Sequence, residues 1–198
     1  MGWIRTNLSP LAFAAVALLF ALPFAELKGE AEEWRVAVTW TGWGLTVGGG
    51  AQVHLETLLW DGNLGQYVMQ EVPNEAPQIG PEEPIYLPGQ PLFMVAALGV
   101  AAGVLARILA SVGSRLLVSA VAAFVAAVAL ALGVRGVLRR FDPPPFDEAL
   151  SAVPAVGFWL TVGVLALLGV GNVIVGYRLW RRDEAAVLDT DGDGNLAR

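Results

Sequence analysis

Residues 116–134 (LLVSAVAAFVAAVALALGV) carry no charge between Arg115 and Arg135. At about 1.5 Å per residue, a helix of that length spans roughly the hydrocarbon core of a bilayer. A buried helix of a soluble protein can also be apolar all round. Three further apolar runs in the same short chain make transmembrane spans the more economical reading. Ser119, Ala123, Ala127 and Ala131 recur every fourth residue, a stripe along which a neighbouring helix can approach closely.

Composition agrees with a membrane domain. Of 198 residues 56% are hydrophobic and only 15% charged, and mean hydropathy is +0.59. The net charge of −6 is local: residues 26–91 hold ten Asp and Glu against Lys28 and Arg35. That balance argues against a nucleic-acid partner, which needs a basic face. With no cysteine, disulfide and thiolate chemistry are excluded.

In chain order, the first span is expected over residues 8–25. A cleaved signal peptide has the same outline, but a cut after Ala25 would put Pro23 at the −3 position, so a retained helix is preferred. Residues 26–91 form an extracytoplasmic segment. Within it WRVAVTW (34–40) alternates as a half-buried strand does, and QVHLETLLW (52–60) reads as a second strand. The proline-rich run 72–91 reads as extended connector. Further spans are expected at 92–112, 116–135 and 156–177, the second and third joined as a tight hairpin. The fourth is framed by Phe158 and Trp159 at one end and by Tyr177 and Trp180 at the other. Gly99 and Gly103 form a small-residue step in the second span. Residues 1–182 thus make a single membrane domain, followed by an acidic tail, 183–198.

The expected fold class is an all-α membrane protein: a four-transmembrane-helix bundle with a small β-containing segment between helices 1 and 2. With the termini inside, six arginines flank the spans on the inner side (Arg5, Arg107, Arg115, Arg178, Arg181, Arg182). Five cationic residues lie outside (Lys28, Arg35, Arg135, Arg139, Arg140). Termini in the cytoplasm and a multi-pass protein of the cell membrane are expected, with the outer arginine cluster as the opposing feature.

Candidate sites are few. Trp34, Trp40, Trp43 and Trp60 could form an exposed partner-binding patch. Arg107 and Asn172 are polar groups inside spans. Arg107 is expected to snorkel to the interface and Asn172 to hydrogen-bond a neighbouring helix, with a solute pathway as the sharper alternative. Asp189, Asp191, Asp193, Gly194 and Asn195 match the opening of a calcium loop, but the bidentate Glu of the twelfth position is missing, so a solvated tail is expected. His54 is the single histidine, and Glu56, Asp61 and Glu71 have no spacing that fixes an acid–base pair. No cofactor and no catalytic role are expected.

Two resemblances follow. The layout of a first span, a long tryptophan-containing extracytoplasmic segment, a tight hairpin and a shorter last loop resembles claudin-like tetraspan proteins, through Trp34-Arg35-Val36 and Trp43-Gly44-Leu45, without the two cysteines of that family. The words Leu22-Pro23-Phe24, residues 41–48 (TGWGLTVG) and Gly157-Phe158-Trp159 are similar to uncharacterised bacterial four-helix membrane proteins. Both imply architecture alone. The expected function is a structural or interaction component presenting residues 34–60 outside the bilayer, with a homo-oligomer or another membrane protein as partner. The alternatives are a subunit for small-solute or ion transport and a membrane enzyme.

Overall fold

A computed structural model describes residues 2–30, 34–61, 66–71, 86–109, 111–141 and 150–193. Its elements in order are helix α1 (Gly2–Leu19), strands β1 (Pro23–Glu30) and β2 (Trp34–Thr41), helix α2 (Gly42–Val47), strands β3 (Gly48–Gly50), β4 (Gln52–Asp61), β5 (Gln66–Glu71) and β6 (Tyr86–Pro88), and helix α3 (Pro91–Leu105). Helix α4 (Val112–Leu138), strand β7 (Leu150–Pro154) and helix α5 (Val156–Asp193) complete it.

The expected all-α architecture is therefore corrected. A five-stranded antiparallel sheet in the order β5-β4-β2-β1-β7 stands beside the helices, and β3 pairs with β6 in a second, two-stranded sheet. Among the described residues, only α4 and, in α5, residues 156–182 are long and apolar enough to cross a membrane. The apolar parts of α1 (Ser9–Leu19) and of α3 are shorter.

The physical reason is clearest at the end of α1. The helix tightens through Ala21 N–H to Leu18 O and Leu22 N–H to Leu19 O, both 3.0 Å. Pro23, which has no N–H and clashes with a preceding helical turn, then stops it. Beyond Pro23 the chain alternates: Ala25, Leu27 and Gly29 are buried, whereas Lys28 is exposed. That is strand periodicity. Residues 23–25, expected inside the first span, are sheet. At the far end of α3, a single 3-10 turn (Ala106–Ile108) replaces the expected continuation to residue 112.

The sheet joins the helices at one end of the molecule. Helices α1 and α4 run toward it, α3 and α5 away from it, so neighbouring helices are antiparallel. Four aromatic rings tie the junction: Phe20 lies 5.3 Å from Trp43 and 5.2 Å from Phe24, and Phe24 lies 6.1 Å from Phe93. Helix α2 is capped by Thr41, whose Oγ1 accepts from Gly44 N at 3.0 Å, and ends at Gly48, whose φ of 90° suits glycine.

The helices meet on small residues. A side chain at Gly99 would touch Ala122 and Ala126, and the helical faces of Gly169 and Gly176 lie against Ala123 and Leu116. The predicted stripe is half right. Ser119 and Ala123 are buried, but Ala131 faces outward, because α4 packs against α3 and α5 through a wider arc that also takes in Ala120, Ala122 and Ala126.

Candidate functional site

The sheet has two unlike faces. Register puts Ala25, Leu27 and Gly29 of β1 beside Trp40, Val38 and Val36 of β2, and the row continues into Ala152 and Pro154 of β7. On this apolar face Leu27, Val38 and Trp40 are buried, and Phe141, just past α4, stacks on Trp40 with ring centroids 5.4 Å apart.

The opposite face is polar. Lys28 stands opposite Ser151 on one side and Ala37 on the other, and Ala37 opposite His54. One step further from the helices, Glu30, Arg35, Glu56 and Glu71 occupy one cross-strand row. The described strands of this sheet carry five carboxylates (Glu26, Glu30, Glu56, Asp61, Glu71) against Lys28 and Arg35, an acidic balance. Lys28 pairs with Glu26 at 3.1 Å. A shallow depression of about 240 Å³ lies among Lys28, Arg35, Ala37, His54 and Glu56. Further out, the β4–β5 hairpin exposes Leu59, Tyr67 and Met69.

The predicted tryptophan patch is not assembled by its described members. Trp40 is 1% exposed on the apolar face, whereas Trp43 is 42% exposed on α2, against Phe20. The backbones of Trp34 and Trp60 sit in β2 and β4, opposite Thr57 and Tyr67; their side chains lie outside the described residues. Asn172 is buried, and its Nδ2 donates to Ser9 Oγ at 3.3 Å, joining α5 to α1. Arg107 has its backbone in the 3-10 turn after α3, with its side chain outside the description. Asp189, Asp191 and Asp193 continue the backbone of α5 where a tail was expected; their side chains, and Asn195, lie outside the described residues.

Among the described residues no three His, Asp or Glu side chains gather as a metal site. Among the described residues two buried polar atoms, Trp40 Nε1 and Thr161 Oγ1, have no hydrogen-bond partner, each a desolvation penalty of about 1–3 kcal/mol. The exposed hairpin side chains Tyr67 and Met69 were not singled out in the sequence, although QYVMQE alternates as β4 does. No family model matches the chain, and no curated protein matches it significantly.

Proposed function

We propose that this chain is an integral membrane protein that holds a small acidic sheet at the bilayer surface as a docking face for a partner protein with a basic surface. The observation that carries the reading is the outward face of the two longest helices. Leu117, Phe124 and Leu132 on α4, and Leu167, Val170 and Val173 on α5, are all exposed. Only 44% of the apolar window of α4 and 22% of that of α5 is buried by the rest of the chain. A core helix of a water-soluble protein would bury such a window, and continuous apolar surface of this kind calls for lipid or a partner. The start of α1 and the far end of α5 lie away from the sheet. We place them in the cytoplasm and the sheet outside.

The docking role is supported by the division of the sheet. The part of its apolar face around Leu27, Val38 and Trp40 is covered by the chain's own residues, whereas Lys28, Arg35, His54 and Glu56 of its charged face, with Tyr67 and Met69 on the same side, are exposed. Asn172 serves helix packing, so the transport alternative loses one of its two polar residues. In this reading the chain is a structural or interaction component without catalytic activity.

The test is a photo-cross-linking residue placed at His54 or Glu56, with one at Phe124 as the lipid-facing control, in native membranes. A discrete protein adduct from the sheet positions, lost when Glu56 or Glu26 of the same chain is replaced by Lys, is expected. The same adducts from all three positions, or none from the sheet, would overturn the docking role. A chain monodisperse in buffer without detergent would overturn the membrane assignment.

A further inference from the structure

A second cavity lies away from the charged face. It is a cleft of about 720 Å³ between the end of α4, strand β7 and the start of α5. Val134, Leu138 and Phe158 line it with apolar surface, and Arg135, Arg139 and Ser151 supply polar groups. Trp159 forms part of its wall and is 62% exposed. Its volume falls in the range of about 300–1,000 Å³ typical of small-molecule sites.

Three observations specify what would occupy it. First, Arg135 and Arg139 are four residues apart on α4, so their side chains leave the helix on one face. Both are exposed, and among the described residues no carboxylate pairs with either. Two adjacent guanidiniums are a bidentate receptor for a phosphate or carboxylate anion. Second, β7 is an edge strand: among the described residues it pairs only with β1, so alternate backbone N–H groups along its other edge are available as donors.

Third, the cleft sits at a fixed depth. Arg115 and Arg135 are separated by a charge-free helix of roughly 30 Å, and Trp159 and Tyr177 by roughly 27 Å of α5. Arg135 and Trp159 therefore mark the same bilayer interface, next to the sheet. An opening there is apolar toward the hydrocarbon and cationic toward the headgroups, which selects an amphiphile over a free ion.

From this arrangement we infer that the α4–β7–α5 cleft binds the headgroup of an anionic phospholipid. The phosphodiester is held by Arg135 and Arg139, and the upper acyl chain lies along Ala131 and Trp159, the exposed apolar members of the lining. The inference rests on the membrane assignment above but is independent of the docking role of the sheet. Bound lipid would fix the angle at which β7, and through it the sheet, leaves the bilayer.

The experiment is native mass spectrometry of the full chain, delipidated in mild detergent and titrated separately with phosphatidylglycerol, phosphatidylcholine and inorganic phosphate. Both lipids carry the phosphodiester, but the quaternary ammonium of phosphatidylcholine cancels its net charge and is repelled by two guanidiniums, so phosphatidylglycerol is expected to bind at least about tenfold more tightly. The double variant R135Q/R139Q removes that preference, R135K/R139K keeps part of it, and R181Q/R182Q, at the opposite interface, leaves it intact. Should the double Gln variant not fold, R139Q alone, at the exposed cap of α4, must lower the preference. Equal binding of the two lipids, an unchanged preference in the Gln variants, or displacement of lipid by equimolar inorganic phosphate would overturn the inference. A chain that enters phosphatidylcholine nanodiscs yet shows no anionic preference sinks this inference alone and leaves the membrane assignment standing.

Discussion

The helical half and the sheet half of this molecule solve the burial problem in opposite ways. At their closest approaches helix α4 meets α3 and α5 through glycine, alanine and serine, with Phe93, Leu130 and Leu165 filling the space between, and the helices turn Phe124, Leu132 and Leu167 outward. The central strands of the sheet turn Leu27, Val38 and Trp40 inward, with Phe141 stacked on Trp40, and Lys28 and Arg35 outward. Large-out and small-in suits a chain solvated by lipid tails, where packing gains come from close backbone approach. Large-in and charged-out suits a chain in water. The reversal occurs within a few residues, at Pro23 at the start of β1 and at Ala155 just past β7, where the two solvents meet under the proposed membrane reading.

The contrast makes its strongest demand at Trp40. Replacing Trp40 by Ala removes the centre of the water-side core and the stack on Phe141, and should lower stability by about 3–5 kcal/mol. Thermal unfolding in detergent should show the loss, with amide exchange rising in β1, β2 and β4 and remaining slow in α4. If α4 exchanged equally fast, the two halves would be one cooperative unit and the comparison would fail. A smaller effect belongs to the joint itself. A methyl group at Gly157 would come within 2.5 Å of the Pro23 carbonyl oxygen and 2.7 Å of Leu22 Cβ. Backbone cannot yield cheaply, so Gly157→Ala should destabilise by about 1–3 kcal/mol, measured by the same unfolding.

What could be read from the sequence divides along the same line. The long uncharged runs located α4 and the start of α5 because hydropathy and helix length are local properties. Strands β2 and β4 were legible from alternation at 34–40 and 52–60. Strand β1 was not, since LPFA continues the apolar run of α1 and reads as span unless the alternation after Pro23 is weighed against it. Strand β7 has five residues and pairs with β1 more than a hundred positions away, which no local pattern reveals. The alternation placed Trp34 and Trp40 on one face of β2 but could not say that Phe141 would cover it. The arginines and Trp159 of the cleft were each visible; their convergence depends on α4 and α5 being antiparallel with β7 between them.

The helical half permits a finer test. Asn172 and Ser9 are 163 positions apart and share a single 3.3 Å hydrogen bond. Such bonds between helices in lipid average about 0.6 kcal/mol, because the separated helices also find partners. Ser9→Ala should therefore lower stability by about that amount. A loss several times larger would mean that Asn172 is left buried in a dry, unforgiving site and that a polar contact, rather than small-residue packing, positions α1.

The smallest effect is expected on the polar face of the sheet, and its smallness is informative. The Lys28 to Glu26 pair spans 3.1 Å, but the Lys28 side chain is 57% exposed, so water and salt screen the attraction. Lys28→Ala should change stability by less than about 0.5 kcal/mol in thermal unfolding. A face whose ion pair adds so little to folding yet holds four carboxylates (Glu26, Glu30, Glu56, Glu71), two cations and a depression around His54 is constrained by something other than the fold. A loss above about 1.5 kcal/mol would make those charges structural, and the acidic surface would then need no partner to account for it.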